Sequence, residues 1–348
     1  MCPEDGEPGL DRIEGVPLDD AVDRVVADTG RDPDAVRRAL SHVTDDEGVV
    51  STDAVDDALA HLSKVVSTPE TRAEFAAIEL SDAREAAEPV ADVDTVAARL
   101  DAFESRLDAV EARVADLGVE LQRLVDGDAT DDLFETAAAI RDLTETANAT
   151  QRAADELYVD AEEFQRWLAV PDVRSEELAS ELDALDESLD ALAGTIDGLA
   201  DAVAGGTDGD VVDAETDADA ETDADDPALG WFEATLRHRA VGLLLADLRA
   251  ELSDLHTLAA RDATGTTADS DDDGASLGDL DDRLDALERR WRALDDRLDD
   301  LARRRWHDRF ADQLRALDTA LDPFEPPIDW TDVQAALDDV REDVDGLA

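Results

Sequence analysis

The sequence predicts an all-α protein: antiparallel coiled-coil helix bundles joined by acidic disordered linkers, with a small N-terminal helical unit. Three observations predict it. In residues 96–125, "VAARLDAFESRLDAVEARVADLGVELQRLV", apolar side chains fall at Val96, Leu100, Phe103, Leu107, Val110, Val114, Leu117, Leu121 and Leu124, in steps of four and three without a miss. That spacing keeps one stripe of a helix turned toward a partner. The composition is 43% hydrophobic but only 4% aromatic, and the apolar residues are mainly Ala, Leu and Val, a mix that favours helices over sheets. Finally, seam-bearing segments are separated by only a few residues, which forces neighbouring helices to run antiparallel.

Residues 1–15 read as a tail and 16–66 as the small unit. In the latter, "PLDDAVDRVVADTG" is a helix between Pro17 and Gly30. "DPDAVRRAL" starts a second, with Asp32 as N-cap and Pro33 at the first helical position. "GVVS" suits a very short extended piece, and "STDAVDDALAHL" is a third helix. Residues 67–204 are expected to form a long bundle. Helix continues through 69–88 to Pro89, and the 96–125 seam helix follows. A second seam runs Ile140, Leu143, Ala147, Thr150, Ala154, Leu157, Ala161, Phe164, Leu168, and a third Leu178, Leu182, Leu185, Leu189, Leu192, Ile196, Leu199, Val203. These three helices are expected to pack on one another, a parallel homodimer being the competing answer for the first seam.

Residues 205–228, "GGTDGDVVDAETDADAETDADDPA", form an acidic linker with no core-forming residues, and 262–277 a second. Between them, 229–261 reads as one amphipathic helix. Residues 278–348 complete a C-terminal bundle. Its seam runs Leu280, Leu284, Leu287, Trp291, Leu294, Leu298, Leu301, then slips by nine residues to Phe310. "DPFEPPIDW" is a rigid turn before a last helix using Val333, Leu337, Val340, Val344 and Leu347.

Charge bounds the function. Acids number 93 against 31 bases, for a formal net charge of −62, and Lys64 is the single lysine. Sustained apolar periodicity argues against a disordered acidic chain. The composition fits a folded protein of a high-salt cytoplasm, where self-repulsion is screened within a few ångströms. It argues against nucleic acid and anionic membrane as partners. Cys2 is the single cysteine, so no disulfide within the chain is expected. The N-terminus has no basic n-region or apolar h-region, and the longest apolar run, "AVGLLLA", is far short of the ~20 residues a spanning helix needs.

No enzyme is expected: there is no recognisable nucleophile turn and no glycine-rich phosphate loop. Asp269, Asp271, Asp273 and Gly274 match the first half of a calcium loop. The match then fails at Ser276 and at Leu280, where an apolar residue and a bidentate Glu belong. Of the five histidines, His238 and His256 share a helix face but sit about 27 Å apart, too far for one metal. No metal or cofactor is implied. Residues 18–62 have a winged-helix rhythm, with Arg37 and Arg38 on the second helix as candidates for DNA contact. Twelve acids against four arginines in that segment weigh against it. Residues 289–309 hold eight arginines with two tryptophans. Arg289, Arg290, Trp291, Arg303, Arg304, Arg305 and Trp306 are therefore candidates for contact with an acidic protein or nucleic acid. The competing reading pairs these arginines with neighbouring carboxylates, for example Arg292 with Asp296.

The run "LSKVVSTPETRAEFAAIELSDAREAAEPVADVDTVAARLDAFESRLDAVEARVADLG", with "WFEATLRHRAVGLLLADLRAEL" later, resembles the haloarchaeal proteins labelled "halo transducer protein". The resemblance implies a haloarchaeal source and a signalling role, and carries no catalytic residues. The expected function is therefore a non-enzymatic, cytoplasmic coiled-coil protein acting through protein–protein contacts in signal transduction, with self-association open. The alternative is a DNA-associated regulator using residues 18–62.

Overall fold

The computed structural model describes residues 13–126, 132–205, 227–265 and 273–345. Among them the chain is all-α apart from two paired two-residue strands. It divides into two compact units, residues 1–89 with 99–166, and residues 90–98 with 167–348.

The first unit opens with β1 (Val16–Pro17), α1 (Leu18–Thr29), α2 (Pro33–Leu40) and β2 (Val49–Val50). The expected caps are present. Asp32 accepts the Ala35 N–H at 2.9 Å ahead of Pro33, and Gly30 ends α1 at φ 69°, a left-handed turn that suits glycine. β1 was not expected. It pairs antiparallel with β2, the "GVVS" piece, with Val16 opposite Val50. Ile13 is buried and Gly15 donates to Val50 O at 2.9 Å, so the folded unit begins inside the segment expected to be tail. Residues 1–12 lie outside the described residues.

α3 (Thr52–Ala87) is one helix that passes straight through Pro69, so no boundary falls at 66/67. A proline here forfeits one backbone hydrogen bond. Its ring is buried and α3 lays a small-residue stripe, Ala73, Ala76, Leu80, Ala83 and Ala87, into a core. α4 (Asp94–Val125) and α5 (Leu133–Ala169) supply the other sides. Arg84 meets Glu104 and Ala73 clusters with Val110 and Ala154. Phe103 meets Phe164 at 5.5 Å, and Arg106 meets Asp160 at 2.7 Å. α3 and α5 are parallel, through Arg72–Asp155 at 3.3 Å and Gln165–Glu79 at 2.7 Å, and α4 runs against both. Every residue of the 96–125 seam is buried or half-buried, so the seam packs within its own chain. One further cluster joins Val22, Val36, Leu40 and Leu62 to Leu117, Phe134 and Ile140. The small N-terminal helices thus cap the α4–α5 end of this unit.

The second unit contains α6 (Pro171–Gly205), α7 (Pro227–Gly265), α8 (Asp273–Leu301), α9 (Arg304–Leu321) and α10 (Trp330–Asp345). α6 was expected to pack on α4 and α5. Instead its leucines from Leu178 to Leu192 are closed over by α7 and α8. The α3 alanine stripe has taken the place expected for α6. Two pieces of the expected second linker, 262–265 and 273–277, are helical; 206–226 and 266–272 lie outside the described residues. α6 and α8 are parallel, for Arg283, Arg290 and Arg297 reach Asp183, Asp190 and Asp197, one pair per heptad. α7 runs against both, His238 meeting Trp291 and His256 meeting Asp281. Exposed pairs of this kind contribute about 0–1 kcal/mol each, whereas a fully buried leucine contributes about 1.5–3 kcal/mol. The leucines hold the helices together and the charges set orientation and register.

Candidate functional site

The arginine–tryptophan segment forms the corner between α8 and α9. The seam ends at Leu301 and resumes at Phe310. Nine residues at 3.6 per turn are two and a half turns, which places Phe310 on the opposite face of any continuous helix. The chain breaks at Ala302–Arg303, starts α9 at Arg304 and leaves helical geometry again at Phe310 (φ −105°, ψ 16°). This folds α9 back along α7. Phe310 stacks on Phe232 at 4.7 Å, and Trp306, 3% exposed, lies 6.0 Å from Trp231. The Trp231 indole N–H donates to Leu298 O at 3.1 Å, a second donor to a carbonyl that the Ala302 N–H also reaches, and so ties α7 to the end of α8.

Trp291 is also committed inside the unit. Its ring stacks on His238 at 4.8 Å and 4°, and its N–H donates to His238 O at 3.0 Å. The His238 Nε2 lies 3.1 Å from Trp291 O. A carbonyl only accepts, so Nε2 carries the hydrogen and Nδ1 faces Asp295 at 3.5 Å. Burial holds the His238 pKa below the ordinary imidazole value, against the opposing pull of that carboxylate. A lone histidine in a helix does not announce this; the signal available in the sequence was its place seven residues after Trp231 and seven before Leu245, in step with a buried heptad.

The arginines divide into two groups. Arg290 pairs with Asp186 and Asp190, and Arg297 with Asp197. Arg289 donates to Asp285 O in its own helix, and Arg292 pairs with Glu288 at 2.8 Å rather than with Asp296. At the corner itself, Arg303 covers the Trp306 ring at 5.5 Å and reaches Val203 O at 3.5 Å, near the C-terminal end of α6. Arg304 is 95% exposed and approaches Asp308 only at 4.0 Å. Arg305 is exposed, as is Arg309, whose guanidinium lies 4.9 Å over Phe310. Among the described residues no carboxylate comes within 4.0 Å of Arg303 or Arg305. Trp306 is thus core and Trp291 half-buried against α7, and Arg304 and Arg305 are what the corner offers to solvent.

In the N-terminal unit, Arg37 is tied to Asp19 and Arg38 is exposed. That Asp19 contact raises the Arg37 pKa. The helix–turn–helix and paired strands keep the expected rhythm, but Asp34 and the Asp19 carboxylate stand beside the two arginines. A phosphate backbone would find few uncommitted cations there.

An open groove of about 420 Å³ lies between α6, α7 and Trp330 of α10. Trp330 is fixed by its N–H donating to Asp247 at 3.0 Å. Among the described residues no cluster of three or more His, Cys, Asp or Glu could hold a metal ion. Asp269 and Asp271 of the partial calcium loop lie outside those residues, and Leu280 is buried in the α8 seam. No described helix is long and apolar enough to cross a membrane.

Sequence periodicity missed an apolar strip in the first unit. Phe75 and Ile78 of α3 are 48% and 59% exposed, and Tyr158 and Val159 of α5 are 37% and 46% exposed. Phe75 and Tyr158 stand three residues beyond Arg72 and Asp155, which pair across these parallel helices, so they occupy the same flank one turn further along. The available signal was four large apolar residues off the seam in an acid-rich surface. Set against family models, curated proteins and solved structures, the chain matches none.

Proposed function

We propose that this chain is a non-enzymatic helical protein that works by docking other proteins, in a signalling role. The observation that carries this reading is the apolar strip of Phe75, Ile78, Tyr158 and Val159. Scattered exposed apolar residues are ordinary, but four grouped across two helices on a surface otherwise crowded with carboxylates mark a contact face. A partner helix lying between α3 and α5 would bury them in the manner of helix-in-groove recognition. The signalling role rests on the resemblance of the 62–118 segment to halo transducer proteins.

The test compares the wild-type chain with a Phe75→Ser/Ile78→Ser/Tyr158→Ser variant as bait in a high-salt lysate, circular dichroism first establishing equal helicity. Proteins captured by the wild type and lost from the variant support the reading. Identical capture by both removes the strip as a docking face. A duplex DNA titration of the same two proteins, with Arg37→Ala/Arg38→Ala as a third, tests the alternative: salt-dependent binding lost only in the arginine variant would favour a DNA-associated regulator.

A further inference from the structure

We propose that the open groove between α6, α7 and α10 is a binding site for a small amphipathic carboxylate, an aliphatic tail of about eight carbons with one ionised head. Its lining is mainly aliphatic: Val241 and Leu244 of α7 and Ala191 of α6 border it, and the indole of Trp330 closes one side. Its volume of about 420 Å³ falls within the range of about 300–1,000 Å³ that small-molecule sites occupy. From Arg237 to Leu244 the groove follows two turns of α7, about 10 Å at 1.5 Å per residue. An extended chain of about eight carbons, at ~1.5 Å per bond, has that length.

The groove is bounded by fixed parts. Trp330 starts α10, and the Asp247 carboxylate of α7 accepts both the Trp330 indole N–H at 3.0 Å and the Ile328 backbone N–H at 3.1 Å. Two hydrogen bonds therefore tie this wall to α7, so a ligand does not have to order it on binding. On the α6 side, Ala191 is exposed and offers only a methyl group where a larger side chain would fill the space.

The polar groups on the lining decide the head group. Ser188 Oγ donates to Ala184 O at 2.9 Å in its own helix, and the Trp330 N–H is spent on Asp247. Arg237 is exposed, and among the described residues no carboxylate lies within 4.0 Å of it. Of the acids on adjoining turns, Glu233 meets Arg341 at 3.6 Å and Asp190 meets Arg290, while Glu187 is exposed beside Ser188. An apolar trough ending at a guanidinium complements an apolar body with an anionic head. One guanidinium fork matches one carboxylate in a charge-assisted pair. A phosphate ester with a second charge would meet stronger repulsion from a chain of net charge −62 and no second cation on the lining. This site does not rest on the strip of α3 and α5.

The experiment titrates the full chain in 2 M KCl with potassium octanoate and, separately, with 1-octanol, by isothermal calorimetry. It compares the wild type with Arg237→Gln and Ala191→Leu, helicity being checked for each. Both substitutions fall on exposed positions. The expected result is saturable binding of one octanoate per chain, at least fivefold tighter than octanol. Arg237→Gln should weaken octanoate at least fivefold and leave octanol unchanged, and Ala191→Leu should weaken both at least fivefold by filling the groove. Absence of saturable octanoate binding would overturn the proposal. So would octanol binding as tightly as octanoate, an Arg237→Gln protein that binds octanoate like the wild type, or binding that Ala191→Leu leaves intact. Self-association of the wild type that Ala191→Leu abolishes, without octanoate binding, would assign the groove to a second copy and overturn it as well.

Discussion

Replacing Gly242 by alanine separates local preference from packing. Gly242 lies inside α7, and in an isolated helix glycine is about 1 kcal/mol worse than alanine. By that rule Gly242→Ala stabilises. In the folded unit, a Cβ at Gly242 would stand 2.8 Å from Trp291 Cζ2 and 3.3 Å from Cε2. The indole cannot yield freely, because it is stacked on His238 and held by the hydrogen bond from its N–H to His238 O. Overpacking of this kind costs about 1–3 kcal/mol. Set against the gain of about 1 kcal/mol, the net effect is destabilisation by about 0–2 kcal/mol. The internal controls are Gly194→Ala and Gly198→Ala in α6, where nothing lies within 4 Å of the new methyl; each should stabilise by about 0.5–1 kcal/mol. Urea or thermal unfolding of the three variants reads the contrast, about 2–4 °C per kcal/mol for a unit of this size. Adding Trp291→Ala to Gly242→Ala should restore the alanine benefit, seen as a positive coupling in the double-mutant cycle. If Gly242→Ala stabilises as much as Gly198→Ala, the α7–α8 packing described here is wrong.

Four shorter predictions follow from the same structure. Leu117→Asp places an uncompensated carboxylate in the cluster under the N-terminal helices and should destabilise by about 3–5 kcal/mol at every protein concentration; a loss that grows on dilution would instead mean a seam shared between chains. Dialysis from molar salt to 10 mM should lower the thermal midpoint sharply, since a net charge of −62 then repels over about 30 Å; an unchanged midpoint would refute the high-salt reading. His238 has its pKa depressed in the folded state, so between its unfolded value near 6.5 and its lower folded value the unfolded chain binds more protons. Its contribution to stability is complete above pH 6.5 and is lost as pH falls through the folded pKa, and His238→Gln should flatten that part of the pH–stability curve measured by chemical denaturation. Trp306→Ala should destabilise by about 3–5 kcal/mol as a buried aromatic, whereas Arg305→Ala should change unfolding by less than about 0.5 kcal/mol; equal losses would mean that the corner arginine is structural.

The helices themselves were legible because their signal is local. Heptad steps, the Asp32–Pro33 start and the Gly30 stop act over a few residues, and the 3.6-residue period converts them directly into a buried stripe. The nine-residue slip after Leu301 likewise announced a break, since no straight helix can carry both residues on one face. β1 escaped because two residues carry no periodicity, and its pairing with Val49–Val50 is made by backbone atoms over a separation of more than thirty residues.

What the sequence by itself determined is the helical content, the seams and the surplus of negative charge. Only the tertiary structure decided which seam meets which. A leucine or alanine stripe is complementary to any other stripe of like spacing, because apolar burial is non-directional. Nothing local therefore distinguished α6 from α3 as the third helix beside α4 and α5. The same degeneracy hid the fates of Trp291 and Trp306, which look alike in sequence to exposed aromatic partners of arginine. It also hid the difference between Arg297, whose level on α8 brings it beside Asp197, and Arg304, which the α8–α9 break turns out to solvent. Those outcomes depend on the axial offset between helices, a quantity set by the whole packed unit and written in no single segment.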